Sequence, residues 1–177
     1  MSIVKMDCLM KLRPIDKDRY RKHYRIVFAA IVIELAVISL ICSTLLISWL
    51  GSPDETHFTL NLAGFGVAVL SVAYTVYRFR DHPFMDEVVY VWNLKKQLNR
   101  IYRKQHKIEP LIEDNNLDAM VIMHYMYQGS KQLYELDDNT ITLDDLAIKA
   151  RHLDTKIKEQ GLKLTTDDYH SALLARF

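Results

Sequence analysis

The sequence predicts an all-α chain: a transmembrane helical hairpin followed by a small cytoplasmic helical bundle. Three observations carry this. Two long apolar runs, residues 26–50 and 58–77, are separated by only seven residues. Apolar positions in the second half recur every three to four residues, the period of an amphipathic helix. No stretch alternates apolar and polar residues in the manner of a strand. Three parts follow: a basic leader (1–25), the hairpin (26–80) and a cytoplasmic helical domain (81–177).

The first run carries one charge, Glu34, and the second carries none. At 1.5 Å rise per residue they extend about 37 and 30 Å, against a hydrocarbon core of about 30 Å. Each is therefore long enough to span a bilayer, the first with tilt. Burying two all-round apolar helices inside a soluble domain of this size is the weaker alternative. A cleaved signal peptide fits less well, because the charged leader is long and no small-x-small site precedes the loop. The linker Gly51-Ser52-Pro53-Asp54-Glu55-Thr56-His57 reads as a tight turn.

Cations orient the hairpin. The leader holds eight Lys/Arg against three Asp, the loop has none, and Arg78, Arg80, Lys95 and Lys96 follow the second span. The positive-inside rule then places both termini in the cytoplasm. Tyr20, Tyr24, Tyr77 and Phe79 mark the inner boundary, and Trp49 and Phe58 the outer one. Cys8 and Cys42 are too far apart to pair across the membrane boundary, and no C-x-x-C is present, so neither a disulfide nor a zinc site is expected.

Small residues recur on both spans: Gly64, Ala68, Ser71 and Thr75 on the second, Ala29, Ala36, Ser39 and Ser43 on the first. Small faces let helix backbones approach closely in lipid, so these stripes are expected to pack the hairpin against itself. Glu34 lies two positions from Ala36, about 200° round the helix. It is therefore expected on the opposite face, with Ala30, Val37 and Ile41, with Tyr74 at its depth on the second span. A carboxyl group so placed is costly to leave in lipid. It invites contact with a second copy or another membrane protein, an intramolecular bond to Tyr74, a place on a proton or ion path, or a passenger's role.

Beyond the membrane, Asp81-His82-Pro83 breaks the helix direction, with Asp81 or His82 as cap and Pro83 at the first helical position. A long helix over 84–107 is predicted with Met85, Val88, Val91, Trp92, Leu94, Leu98, Ile101 and Tyr102 on its apolar face. His82 and Pro83 would set its angle, and Glu87 and Trp92 would pack on neighbouring helices. Pro110 stops that helix, and a second runs over 117–136, ended by Asp137-Asp138-Asn139. Thr142 and Asp145 open a third, with a Leu143/Leu146/Ala150/Leu153/Ile157 seam and Gly161 at its C′ position. A short last helix begins near Thr166.

Reaction chemistry is sparse. Only Gly129 and Gly161 lie in the cytoplasmic domain, which argues against a phosphate-cradling loop. The seven histidines are scattered, and His124, within Met123-His124-Tyr125-Met126, reads as a core-edge residue. No cofactor or metal is expected. A lipid-acting enzyme would have to use His82, Asp86 and Glu87 at the inner interface, with no nucleophile beside them. Lys95, Lys96, Arg100, Arg103, Lys104 and Lys107 form a basic flank able to meet anionic lipid headgroups. Residues 78–177 hold 15 Lys/Arg and 16 Asp/Glu, a balance that does not suit nucleic acid. The expectation is a non-enzymatic membrane protein acting through protein contacts; the alternative is a homo-oligomeric conduit or transport accessory using Glu34.

One ordered set of residues resembles a known family. Asn61-Leu62-Ala63-Gly64 opens the second span, and His82 to Lys95 read H-P-x-M-x-E-x-x-Y-x-W-x-L-K. His124-Tyr125 and Leu136-Asp137 come later. The pattern, from about Ile15 onward, resembles a family of small two-span bacterial inner-membrane proteins known as a domain of unknown function. The resemblance implies the membrane and the topology, and it implies no activity or ligand.

Overall fold

The computed structural model of the protein describes residues 11–52, 56–139 and 143–177. Asp54 and Glu55 of the turn, Cys8 and the cap residue Thr142 lie outside them. Among the described residues there are six α-helices and no strand. The chain divides into two compact units, Asp18–Val89 on one hand and Met1–Lys17 with Tyr90–Phe177 on the other.

The first unit is built on helices α1 (Lys17–Leu50) and α2 (Phe58–Phe79). α1 takes in nine residues of the basic leader, since nothing after Pro14 breaks the helix and Asp18 suits its first turn. On α2, Gly64 and Ala68 are buried. A Cβ at Gly64 would come within 2.4 Å of Ser43 Oγ and 2.9 Å of Ser43 Cα, so glycine is what lets the two helices touch there. The stripe expected on α1 is corrected. Ser39 and Ser43 turn inward, but Ala29 and Ala36 are exposed, and Val27, Ile31, Leu35, Ile38 and Cys42 are partly covered instead. One small face is enough for close approach, and larger side chains opposite fill the space that two small faces would leave empty.

His82 caps the next turn, its Nδ1 accepting from Phe84 N at 3.1 Å, and Pro83–Met85 form a 3₁₀ turn that leads into α3 (Asp86–Tyr102). The predicted helix over 84–107 is interrupted. α3 ends at Tyr102, and a one-turn helix α4 (Gln105–Ile108) and a 3₁₀ turn at Glu109–Ile112 follow. The break lets Ile101, Ile108 and Ile112 all be buried.

In the second unit α5 (Leu117–Asp137) is the central element, with Ala119, Met120, Ile122, Met123 and Tyr125 fully buried. Asn116 caps it, accepting from Ala119 N, and Asp138 ends it in the left-handed region at φ 54°. α6 (Leu143–Glu159) packs on α5 through Leu153 and Ile157. It ends in a Schellman motif: Gly161 has φ 64°, Gly161 N donates to Lys158 O, and Leu162 N donates to Ile157 O. The single short helix expected from Thr166 is two 3₁₀ turns, Thr166–Asp168 and Leu173–Arg176. Between them Tyr169 is extended (φ −77°, ψ 132°) and its ring inserts into the core.

Candidate functional site

The most unusual chemistry lies inside the hairpin. Glu34 sits eight residues, about 12 Å, into the apolar run of α1. Its Oε1 accepts hydrogen bonds from Ser71 Oγ and Thr75 Oγ1, each at 2.9 Å. Ser71 and Thr75 are four apart on α2 and so lie one above the other on the face toward α1. The expectation that Glu34 faces away from the small stripe is therefore corrected, and so is its pairing with Tyr74, which is 69% exposed. Val37 and Ile41 are exposed and are not its companions. Ala36, the inward reference for that expectation, points outward. The signal in the sequence is an i,i+4 hydroxyl pair on one apolar helix facing a single carboxyl on the other.

Glu34 also lines an open cleft of about 300 Å³ with Val27, Ala30, Ile31, Thr75, Val76 and Phe79, and His82 and Phe84 line it too. The walls are almost wholly apolar, so carboxyl and hydroxyls together form a polar point in an apolar setting. Two donors on one oxygen offset much of the cost of placing that carboxyl there.

A second polar cluster lies at the basic end of the hairpin unit. Glu87, 6% exposed, pairs through Oε1 with Arg19 Nε at 2.8 Å and through Oε2 with His23 Nδ1 at 3.2 Å. The His23 ring packs on Phe84 with centroids 4.1 Å apart. Glu87 thus joins the first turn of α3 to the leader part of α1, a partner the sequence pattern did not suggest. Trp92, expected to pack on a neighbouring helix, is 69% exposed. The buried seam of α3 is Val91, Leu94, Leu98 and Ile101, and Trp92 lies about 100° from Val91 and opposite Ile101.

The helical unit holds polar groups that the sequence alone did not single out. Tyr125 and Tyr169 stack with centroids 4.2 Å apart, and buried Gln97 donates from Nε2 to Tyr169 Oη. Burial pushes both phenols up, and among the described residues Tyr125 Oη has no hydrogen-bond partner. Burial also holds His124 below its ordinary value, against the opposing pull of Asp154 and Asp168. Glu109 accepts from Tyr127 Oη, Lys149 Nζ and Gln105 Nε2 at 3.2, 2.7 and 2.9 Å. Burial alone would raise its carboxyl, but these donors outweigh it and hold the group below the usual range. Glu109 borders a groove of about 570 Å³ with Pro110, Ile148, His152 and Leu153. Among the described residues no three His, Cys, Asp or Glu side chains are grouped to hold a metal ion.

Fold and site define a class: an all-α protein with two helices long and apolar enough to cross a membrane, a carboxyl–hydroxyl contact between them, and a polar helical unit. Residues 10–174 match the family described as Protein of unknown function (DUF3087), and the chain belongs to that family. No curated protein and no solved structure matches the chain.

Proposed function

We propose that this chain is a multi-pass protein of the bacterial inner membrane, with both termini cytoplasmic, acting without catalysis through protein contacts of its helical unit. The observation that carries the membrane part is the surface of the hairpin. Phe28, Leu40, Trp49, Leu62 and Leu70 are all more than half exposed, and only 6% and 11% of the most apolar windows of α1 and α2 are buried. Lipid covers such a surface; water does not. The cation distribution supports the orientation, and the family resemblance supports the bacterial membrane. Support for protein contacts comes from the helical unit's open groove beside Glu109, with the exposed Ile148 on its wall. Glu34 is engaged within its own hairpin, which removes the observation on which an oligomeric conduit would rest.

Topology reporters test the first part. Fusions at Met1 and after Phe177 are expected to be active only as cytoplasmic reporters, and an insertion near Asp54 only as an external one. An external C-terminus overturns the scheme. Crosslinking and mass spectrometry on intact membranes, with crosslinks expected to cluster on residues bordering the groove, test the second.

A further inference from the structure

The outward side of α3 has no part in the fold, yet it is not an ordinary solvated face. Trp92 lies at its centre, opposite the buried Leu94 and Ile101. Lys96, Asn99 and Arg103 follow within about 40° of it, Lys95 lies on the flank, and Tyr102, 66% exposed, lies beside them. From Val88 to Ile108 the sequence has six Lys/Arg and no Asp or Glu. Lys95 is held by Asp137 at 2.9 Å and Lys104 donates to Leu174 O, but among the described residues no carboxylate engages Lys96 or Arg103. The indole leaves a large apolar ring exposed beside cations that no described carboxylate engages. This arrangement suits the headgroup layer of a bilayer, where Trp and Tyr rings sit at the boundary and Lys and Arg reach phosphates.

We propose that this face of α3 docks on the anionic lipid headgroups of the membrane that the hairpin spans. The inference rests on the membrane reading above. Three observations select this occupant. The charge is of one sign and complementary to acidic phospholipid. The aromatic residues are of the interfacial type. Six residues, 80–85, connect the end of α2 to the start of α3, a tether of at most about 20 Å, so the start of the helix is within reach of the headgroup layer. A tethered face is presented to lipid at high effective concentration, so few cations suffice.

The test uses the full chain in lipid nanodiscs, either neutral (phosphatidylcholine alone) or anionic (with phosphatidylglycerol). In a Trp49→Phe protein the remaining indole is Trp92. Its emission is expected to shift to the blue, and its quenching by acrylamide to fall, in anionic discs only. Lys96→Glu with Arg103→Glu is expected to lower the ratio of docked to undocked face about tenfold or more, as added salt would. Equal acrylamide access in both lipids overturns the proposal, as does equal shielding in both. Shielding that follows the number of copies per disc assigns the face to a second copy, which also overturns it. In a Trp92→Phe protein, Trp49 reports the span through quenching by brominated lipid. If Trp49 is quenched while Trp92 stays in water, only the docking fails; if Trp49 is not quenched, the membrane reading itself fails.

Discussion

The hairpin and the helical unit solve packing in opposite senses. In the hairpin the buried positions are small or polar, Gly64, Ala68 and Ser43, while Phe28, Leu40 and Leu70 face outward. In the helical unit Leu94, Ile122, Met123 and Leu153 are inside, and the charged residues lie mostly at the surface. On the membrane reading proposed above, the difference follows from the solvent. In water, burying apolar area drives folding, at about 25 cal/mol per Å². In lipid that term is absent between helices, and close backbone approach and hydroxyl hydrogen bonds remain.

That contrast can be broken most strongly at Gly64. Gly64→Leu drives a side chain into Ser43 backbone and is expected to separate α1 from α2, seen as loss of folded protein in a detergent thermal-stability assay. Val67→Leu, on an exposed position, is expected to leave that assay unchanged. Equal tolerance at both positions would remove the close contact from the account.

A matched pair of truncations sharpens the same contrast. Ile122→Ala empties a fully buried site in the helical unit and is expected to destabilise it by about 2–5 kcal/mol in denaturant titrations. Leu70→Ala removes a side chain that is 72% exposed and should cost less than about 0.5 kcal/mol.

Within the hairpin, Glu34→Gln keeps an acceptor for Ser71 and Thr75, whereas Glu34→Leu removes it. The Leu variant is expected to weaken the α1–α2 association by about 1 kcal/mol and the Gln variant by less. In a double-mutant cycle with Ser71→Ala, zero coupling would show that the hydrogen bond contributes nothing.

The smallest effect concerns pH. Burial lowers the folded-state affinity of His124 for a proton relative to an ordinary imidazole at 6.5. As pH falls through 6.5 the unfolded chain therefore takes up its proton first, and stability declines until the folded histidine titrates as well. Above 6.5 the group makes no difference. His124→Gln is expected to flatten the stability profile below 6.5 and to leave it unaltered at pH 8, read by denaturation midpoints.

Features written in local pattern are legible in the amino-acid sequence. The two long apolar helices, the His82-Pro83 turn, the α5 terminus at Asp138 and the Gly161 stop each depend on residues close in sequence, so spacing and residue type suffice. Trp92 shows where that ends. Its hydrophobicity groups it with Val91 and Leu94, but a helix buries only the stripe its partner covers, and α5 covers the other side. Tyr169 entering the core between two 3₁₀ turns, and Gln97 meeting it 72 residues away, have no local mark at all.

Glu34 divides the two kinds of knowledge most clearly. The sequence by itself determined that one carboxyl stands in an apolar helix and that hydroxyls recur on the next apolar helix, because composition and the 3.6-residue period are local. Only the tertiary structure decided that α1 turns Glu34 rather than Ala36 toward α2. A helix carries its periodicity in its own sequence, but which face is buried depends on the shape and hydrogen-bonding groups of whatever packs against it.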